Sequence, residues 1–284
     1  MTEQLSRIDG ATVVAAVIGS PVRHSLSPAL HNAAFAAAGV NWVYAAFDVA
    51  AGQAGQALAA MRNLGLGGLS VTMPHKHDVA QLVDALDPAA AALASVNTVV
   101  RAGDGTLVGY STDGAGFVAS LAESGVQVQQ KRVVVLGAGG AARAVVDALA
   151  RAGAGEVAVV NRTAAAAAMA ASLAGPVGRV GSEADVALAD VVVNATSVGM
   201  GTAELPVNPE LLSAGQVVAD LVYHPLETAL LAGARARGCV VVDGLGMLVH
   251  QAALQQQLWL GVLPDTSVMR AAAVRELATR APIA

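Results

Sequence analysis

The sequence predicts an α/β protein of two domains, each a sheet with helices packed on it, and three observations carry that reading. Short valine-rich runs alternate with alanine-rich stretches along most of the 284 residues, as strand–helix–strand units do. The chain is longer than a usual single domain, which runs to about 100–150 residues. The alternation also begins afresh near residue 131, where a charged start leads into an apolar run and a glycine turn.

Taken in order, VVAAVIG (13–19), WVYAAFDV (42–49), LGGLSVTM (66–73) and NTVVRA (97–102) read as strands. SPALHNAAFAAAG (27–39) and QAGQALAAMRNLG (53–65) read as helices between them. In the first helix Ser27 is the expected N-cap, Pro28 the first helical residue and Gly39 the terminator, following the usual preferences at helix ends. The second series opens with KRVVVLGAGGAARAVVDALARAG from Lys131, a strand, a turn and a helix. Strands follow at 157–163, 191–200, 216–223 and 238–246, with helices at 164–174 and 226–237. The stretch 164–174 is nearly pure alanine and reads as helix by propensity. From 246 the pattern is helical to the end. Such alternation predicts parallel sheets, and two α/β domains leave a cleft in which ligands usually bind.

Composition excludes several classes of function. Hydrophobic residues make up 55% and charged residues 13%, against about a quarter charged in an average soluble domain. The mean hydropathy of +0.58 comes from alanine and valine interrupted by glycine, proline and polar residues, so no membrane span is expected. The first ten residues, MTEQLSRIDG, are too polar for a secretory signal, and a cytoplasmic protein is expected. Sixteen basic against 21 acidic residues, with no basic run, argue against a nucleic-acid partner. Cys239 is the only cysteine, which excludes an intramolecular disulfide and a cysteine zinc cluster; within CVVVD it reads as a buried, inert strand residue. His24, His31, His75, His77, His224 and His250 are scattered without ligand spacing, so no metal is expected.

The glycine turn carries the first chemical signal. Gly137-Ala138-Gly139-Gly140-Ala141-Ala142 fits G-x-G-x-x-G/A between an apolar strand and a helix. Gly137 permits the tight turn, Gly139 lets the backbone approach a pyrophosphate, and Ala142 lets the helix pack closely. The pyrophosphate then lies on the helix N-terminus, where unpaired N–H groups and partial positive charge favour an anion. NAD sites usually end the next strand with a carboxylate for the ribose hydroxyls. Here that region is Asn161-Arg162-Thr163, and Arg162 suits a 2′-phosphate, with Asn161 and Thr163 as neutral partners. The expected cofactor is NADP.

Three polar clusters follow strands in the first half. Gly19 to Pro28 holds Ser25 and Ser27, hydroxyls at a helix start suited to a small carboxylate or polyol. Ser70-Val71-Thr72-Met73-Pro74-His75-Lys76 holds one of only two lysines. Lys76 is expected in a proline-marked loop, where a desolvated amine near a carboxylate can act as general acid or base. Val96-Asn97-Thr98 and Tyr110 to Gly114 form the third, with Asp113 at the expected domain junction.

These segments have a collective likeness. GSPVRHSLSPALHN, VTMPHK, SVNT, STDGAGF, VLGAGGAAR, VNRT, VNATSVGM, DLVYHPLETALL and GLGMLVHQA resemble, in order and spacing, the motif series of the shikimate dehydrogenases. The resemblance implies reversible NADPH-dependent reduction of the C3 carbonyl of 3-dehydroshikimate to shikimate, in aromatic amino-acid biosynthesis. It implies a catalytic pair, Lys76 exchanging the proton and Asp113 holding it in position. Ser25, Ser27 and Tyr223 are then expected on the substrate carboxylate, and Thr72, Asn97 and Gln251 on the ring hydroxyls or carbonyl region. On the cofactor side it implies Gly137, Ala138, Gly139, Gly140, Ala141, Asn161, Arg162, Thr163, Thr196, Leu221 and Gly244. It also returns the last helices to the first domain: residues 1–112 and 247–284 would form the substrate domain, and 113–246 a Rossmann-type NADP domain. The expected partner is the small-molecule substrate, with no nucleic acid or membrane, and a homodimer is compatible.

Three departures qualify this. Ser70 and Ser111 stand where the family commonly has asparagine, so contacts to the ring can differ. Only alanines follow Asn161-Arg162-Thr163 where a second basic residue is frequent, which weakens selection for NADP. The alternative is therefore a quinate/shikimate or aminoshikimate dehydrogenase with relaxed cofactor use. A non-catalytic protein of this fold predicts a lost lysine or aspartate, and both are present; a folate or glutamyl-tRNA oxidoreductase would have no reason to carry His-Ser-x-Ser-Pro.

Overall fold

In the computed structural model, which describes residues 8–279, the chain divides into two compact units. One runs to Thr112 and resumes at Ala252; the other is Asp113–Gln251.

The first unit begins β1 (Val13–Gly19), α1 (Ser27–Ala38), β2 (Trp42–Asp48), α2 (Ala54–Leu64), β3 (Gly68–Val71) and α3 (Lys76–Leu82). It continues β4 (Ala85–Leu86), α4 (Pro88–Leu93), β5 (Thr98–Arg101) and β6 (Leu107–Tyr110). The sheet order is β2-β1-β3-β5-β6-β4. It is not parallel throughout, as the alternation predicted: β5 runs antiparallel to both β3 and β6. The cause is local. The short β5 and β6 join through a tight turn at Asp104–Gly105, and a turn that short can connect only antiparallel neighbours.

Alternation along β1 sends Ala16 and Ile18 to one face, with Leu58, Met61, Leu69 and Val79. It sends Ala15 and Val17 to the other, with Phe35 and Tyr44. Gly39 ends α1 as expected, in the left-handed conformation with φ 65°, which a Cβ would disfavour. The start of that helix differs from expectation. Leu26 is the N-cap residue and Ser27 already helical; the Ser25 hydroxyl accepts from Ser27 N at 3.2 Å. Pro28 at the second position still pre-sets the turn.

The second unit comprises α5 (Asp113–Glu123), β7 (Arg132–Leu136), α6 (Gly140–Arg151), β8 (Glu156–Val160), α7 (Ala164–Ser172), β9 (Gly178–Val180), β10 (Val191–Asn194), β11 (Val217–Asp220), α8 (Ala229–Ala236) and β12 (Val240–Val242). Its six strands are all parallel in the order β12-β11-β10-β7-β8-β9. Counting from β7, this is the order of a doubly wound dinucleotide-binding sheet, with its switch point between β7 and β10. Burial on both faces explains the unbroken valine runs. Val133 and Val135 pack with Phe117, Val145 and Leu149, and Val134 and Leu136 with Val192, Leu212 and Leu230. Cys239 is buried but lies one residue before β12 rather than in it. Its thiol donates to the Ser213 carbonyl at 3.3 Å, and burial raises its pKa.

The chain closes with α9 (Gly244–Leu260) and α10 (Thr266–Thr279). The first half of α9 belongs to the second unit and the rest, with α10, to the first. The last five residues of the expected helical tail lie outside the described residues.

Candidate active site

In the first unit the sheet's switch point falls between β1 and β3, and the polar segments meet at those carboxyl ends. Thr72 N donates to Ile18 O and Ser20 N to Met73 O, both at 2.9 Å, which joins the loop after β1 to the loop after β3. Ser25 and Thr72 are half-buried, and Ser27 is buried. Lys76 is not in the loop, as expected, but is the first residue of α3. Two bonds hold it there. The His75 imidazole, wholly buried, donates from Nε2 to Val49 O at 2.7 Å, and Val96 N donates to the Lys76 carbonyl at 2.9 Å.

Asn97 joins this edge through strand pairing. Val71 N donates to its carbonyl at 2.8 Å, and Asn97 N to Tyr110 O at 3.0 Å. Its side-chain Oδ1 accepts from Thr112 N and Thr98 Oγ1, each at 2.8 Å, while Nδ2 donates to Thr112 Oγ1 at 2.9 Å. These bonds hold the Asn97 amide with Oδ1 toward Thr98 and Thr112. Ser111 N donates at 3.3 Å to Asp87, which also caps α4. Asp113 opens α5 as the first residue of the second unit, and Tyr223 and Gln251 fall in that unit as well.

The glycine turn occupies the second unit's switch point. Gly137 has φ +109°, a conformation L side chains rarely adopt. A Cβ there would lie 3.0 Å from the Ala195 carbonyl oxygen. Gly139 is the N-cap of α6 with no side-chain cap, and no acidic residue occupies the first turn. At Gly139 and Gly140 a Cβ would meet nothing within 4 Å. Protein packing does not require glycine at those two positions, which leave the start of α6 open. Ala138 is half-buried, Ala141 exposed, and Ala142 completely buried against the sheet.

Beyond β8, Asn161 donates from Nδ2 to Thr163 O at 3.1 Å. Arg162 is exposed and pairs with no acidic side chain among the described residues. Thr196 is turned inward, its hydroxyl donating to Asn194 Oδ1 at 2.7 Å. Asn194 in turn donates to Asp220 at 2.8 Å, and Asp220 also accepts from Thr228 and Val222 N. Burial raises the Asp220 pKa. Leu221 N donates to Asn194 O at 2.9 Å. Gly244 lies against Leu221, its added Cβ only 2.5 Å from the Leu221 carbonyl oxygen. Asn194 and Asp220 brace the loops facing the glycine turn, and sequence reasoning missed both. Their signal was a polar residue closing each buried valine run. It missed also a buried cluster of His31, Tyr44, Ser70, Gln255 and Gln256, announced by consecutive glutamines in an apolar helix.

An all-parallel sheet of this order with an open glycine turn at its switch point is a Rossmann-like NAD(P)-binding domain. Comparison with known proteins narrows this. Residues 17–99 match the shikimate dehydrogenase substrate binding domain, 120–201 the shikimate/quinate 5-dehydrogenase family, and 244–274 the shikimate 5′-dehydrogenase C-terminal domain. The chain is 48% identical to the shikimate dehydrogenase (NADP(+)) of Moorella thermoacetica, over 93% of each chain. Among solved structures it resembles a shikimate dehydrogenase in complex with NADP+, with TM-score 0.90, 38% identity, and 96% and 99% of the two chains covered. It also resembles the Thermus thermophilus shikimate 5-dehydrogenase in complex with NADP(H) and shikimate, with TM-score 0.88, 39% identity, and 93% and 99% covered. The chain belongs to the shikimate dehydrogenase family, and it acts on a CH–OH group.

Proposed function

We propose that the chain is an NADP-dependent shikimate dehydrogenase that interconverts shikimate and 3-dehydroshikimate, with Lys76 and Asp113 as its catalytic residues. The observation that carries the cofactor side is the pair Gly139 and Gly140, whose Cβ atoms would have open space around them. They leave a bare helix N-terminus to receive a pyrophosphate. Gly137, Ala138 and Ala141 complete the turn. Arg162, with Asn161 and Thr163, receives the 2′-phosphate; Thr196, Leu221 and Gly244 shape the far wall.

When bound, NADP supplies the hydride acceptor or donor at its nicotinamide ring. The protein's own part is to position the substrate and move one proton. In oxidation the C3 hydroxyl loses its proton to the Lys76 amine as the hydride leaves C3; in reduction the ammonium returns it. Asp113 balances the charge on Lys76 and holds its orientation. Ser25, Ser27 and Tyr223 bind the carboxylate, and Thr72, Asn97 and Gln251 the ring oxygens. Hydride transfer then needs only a close, aligned donor, about 3–3.5 Å away, and this proton path.

Ser70 gives no support to altered substrate choice. Its hydroxyl accepts from Tyr44 at 2.6 Å and donates to Gln255 at 2.7 Å, which commits it within the protein. The substrate domain in this reading is residues 1–112 and 247–284, the NADP domain 113–246. Among the described residues no helix is long and apolar enough to cross a membrane. The reading places the enzyme in the cytoplasm, as a monomer or homodimer. Steady-state kcat/KM on shikimate and quinate, each with NADP and NAD, tests it. Shikimate with NADP should be the best pair; undetectable shikimate oxidation with either cofactor refutes it.

A further inference from the structure

We infer that Gln255 is a positioning residue for substrate binding: it anchors Asn97 in one buried hydrogen-bond chain that runs Asn97–Gln255–Ser70–Tyr44. The inference rests on the reading above, in which Asn97 touches the substrate.

The chain is explicit in the structure. Gln255 Nε2 donates to the Asn97 carbonyl at 3.3 Å, and its Oε1 accepts from Ser70 Oγ at 2.7 Å and from His31 Nε2 at 3.2 Å. The Tyr44 hydroxyl donates to Ser70 Oγ at 2.6 Å. Gln256 donates from Nε2 to His31 Nδ1 at 3.0 Å and to His31 O at 3.1 Å. His31 stacks on Tyr44 with 4.2 Å between ring centroids. Gln255 is 2% exposed and His31 0%.

Two backbone carbonyls set the polarity of every bond. The His31 carbonyl demands the amide nitrogen of Gln256, so His31 Nδ1 is an acceptor and Nε2 carries the proton. The Asn97 carbonyl likewise demands the amide nitrogen of Gln255; turned over, that amide would set oxygen against oxygen. Oε1 must therefore face Ser70 and His31. Ser70 can only donate to it, and so accepts from Tyr44. A buried network with one satisfiable polarity holds one arrangement, and loses it when a member is removed. At one end it fixes the main chain of Asn97, whose Oδ1 is already committed to Thr98 and Thr112. At the other it ends on Tyr44, which stacks on His31. An apolar residue would fill the same space in α9 without tying Asn97 to Ser70 and His31.

The test is kinetic. Gln255→Met keeps the length and removes the amide. It should raise KM for shikimate about tenfold, leaving kcat within about twofold and the Kd for NADPH unchanged. In an Asn97→Ala background the same change should add nothing to KM, because Gln255 acts through Asn97. An unchanged KM in Gln255→Met, with KM raised in Asn97→Ala, overturns this inference alone. Multiplying effects in the double variant also overturn it. An unchanged KM in Asn97→Ala removes Asn97 from the substrate site and overturns both readings. Should Gln255→Met fail to fold, Ser70→Ala serves: KM should rise about threefold through the slackened amide, and an unchanged KM overturns the inference.

Discussion

A Cβ placed on Gly116 would lie 2.6 Å from the backbone nitrogen of Gln251 and 2.8 Å from its Cα. Helices α5 and α9 therefore meet backbone to backbone at this point, with no room for a methyl group. Gly116→Ala forces them apart, and overpacking of this kind costs about 1–3 kcal/mol. Thermal unfolding should show a lower Tm. Because Gln251 sits at the contact, KM for shikimate should rise with it. An unchanged Tm would mean that the helices separate freely.

Lys76→Ala tests the proton path. Loss of a general acid–base group slows chemistry by about 10²–10⁴-fold. We expect that loss in kcat, with KM changed far less, in initial-rate assays of shikimate oxidation. A rise in KM with kcat retained would reduce Lys76 to a binding residue.

Arg162 bears on cofactor choice. As the exposed cation after β8, it can discriminate only through a ligand's own charge. Arg162→Ala should raise KM for NADP about tenfold or more, as expected for a lost charge-assisted bond, and spare NAD. Equal losses with both cofactors would refute the phosphate role.

His31 makes stability depend on pH. Burial disfavours the imidazolium and holds its pKa at about 3, against an ordinary 6.5. The unfolded chain therefore binds a proton that the native state refuses between those values. This contribution to stability is intact above 6.5 and falls as pH drops below it, by about 1.4 kcal/mol per pH unit, down to about 3. In the folded protein the His31 ring resonances should stay fixed from about pH 7.5 to about 5. Titration of those resonances near 6.5 would contradict its burial as a neutral acceptor–donor pair.

Much of this was legible in the residues, and the misses have physical causes. The run Val133–Leu136 and its glycine turn announced themselves because a strand buried on both faces has to be apolar throughout. Ser27 was misplaced by one position because Ser25, two residues earlier, offers the same hydroxyl to the helix start. Lys76 was taken for a loop residue because α3 is only seven residues long and opens on Lys76, His77 and Asp78, its buried Val79 and Ala80 coming too late to mark a helix start. The first sheet's antiparallel pairing was missed because β6, at four residues, is too short to show a period, so its hairpin with β5 went unread.

The sequence by itself determined the α/β class, the glycine turn, the candidate residues and the family, since each depends on neighbours close along the chain. The tertiary structure alone decided which polar groups share a bond. Gln255 reaches His31, Ser70 and Asn97 across separations of 224, 185 and 158 residues. No local preference encodes such contacts. They arise because α9 returns to the first sheet, and a buried amide there must find partners or forfeit its hydration.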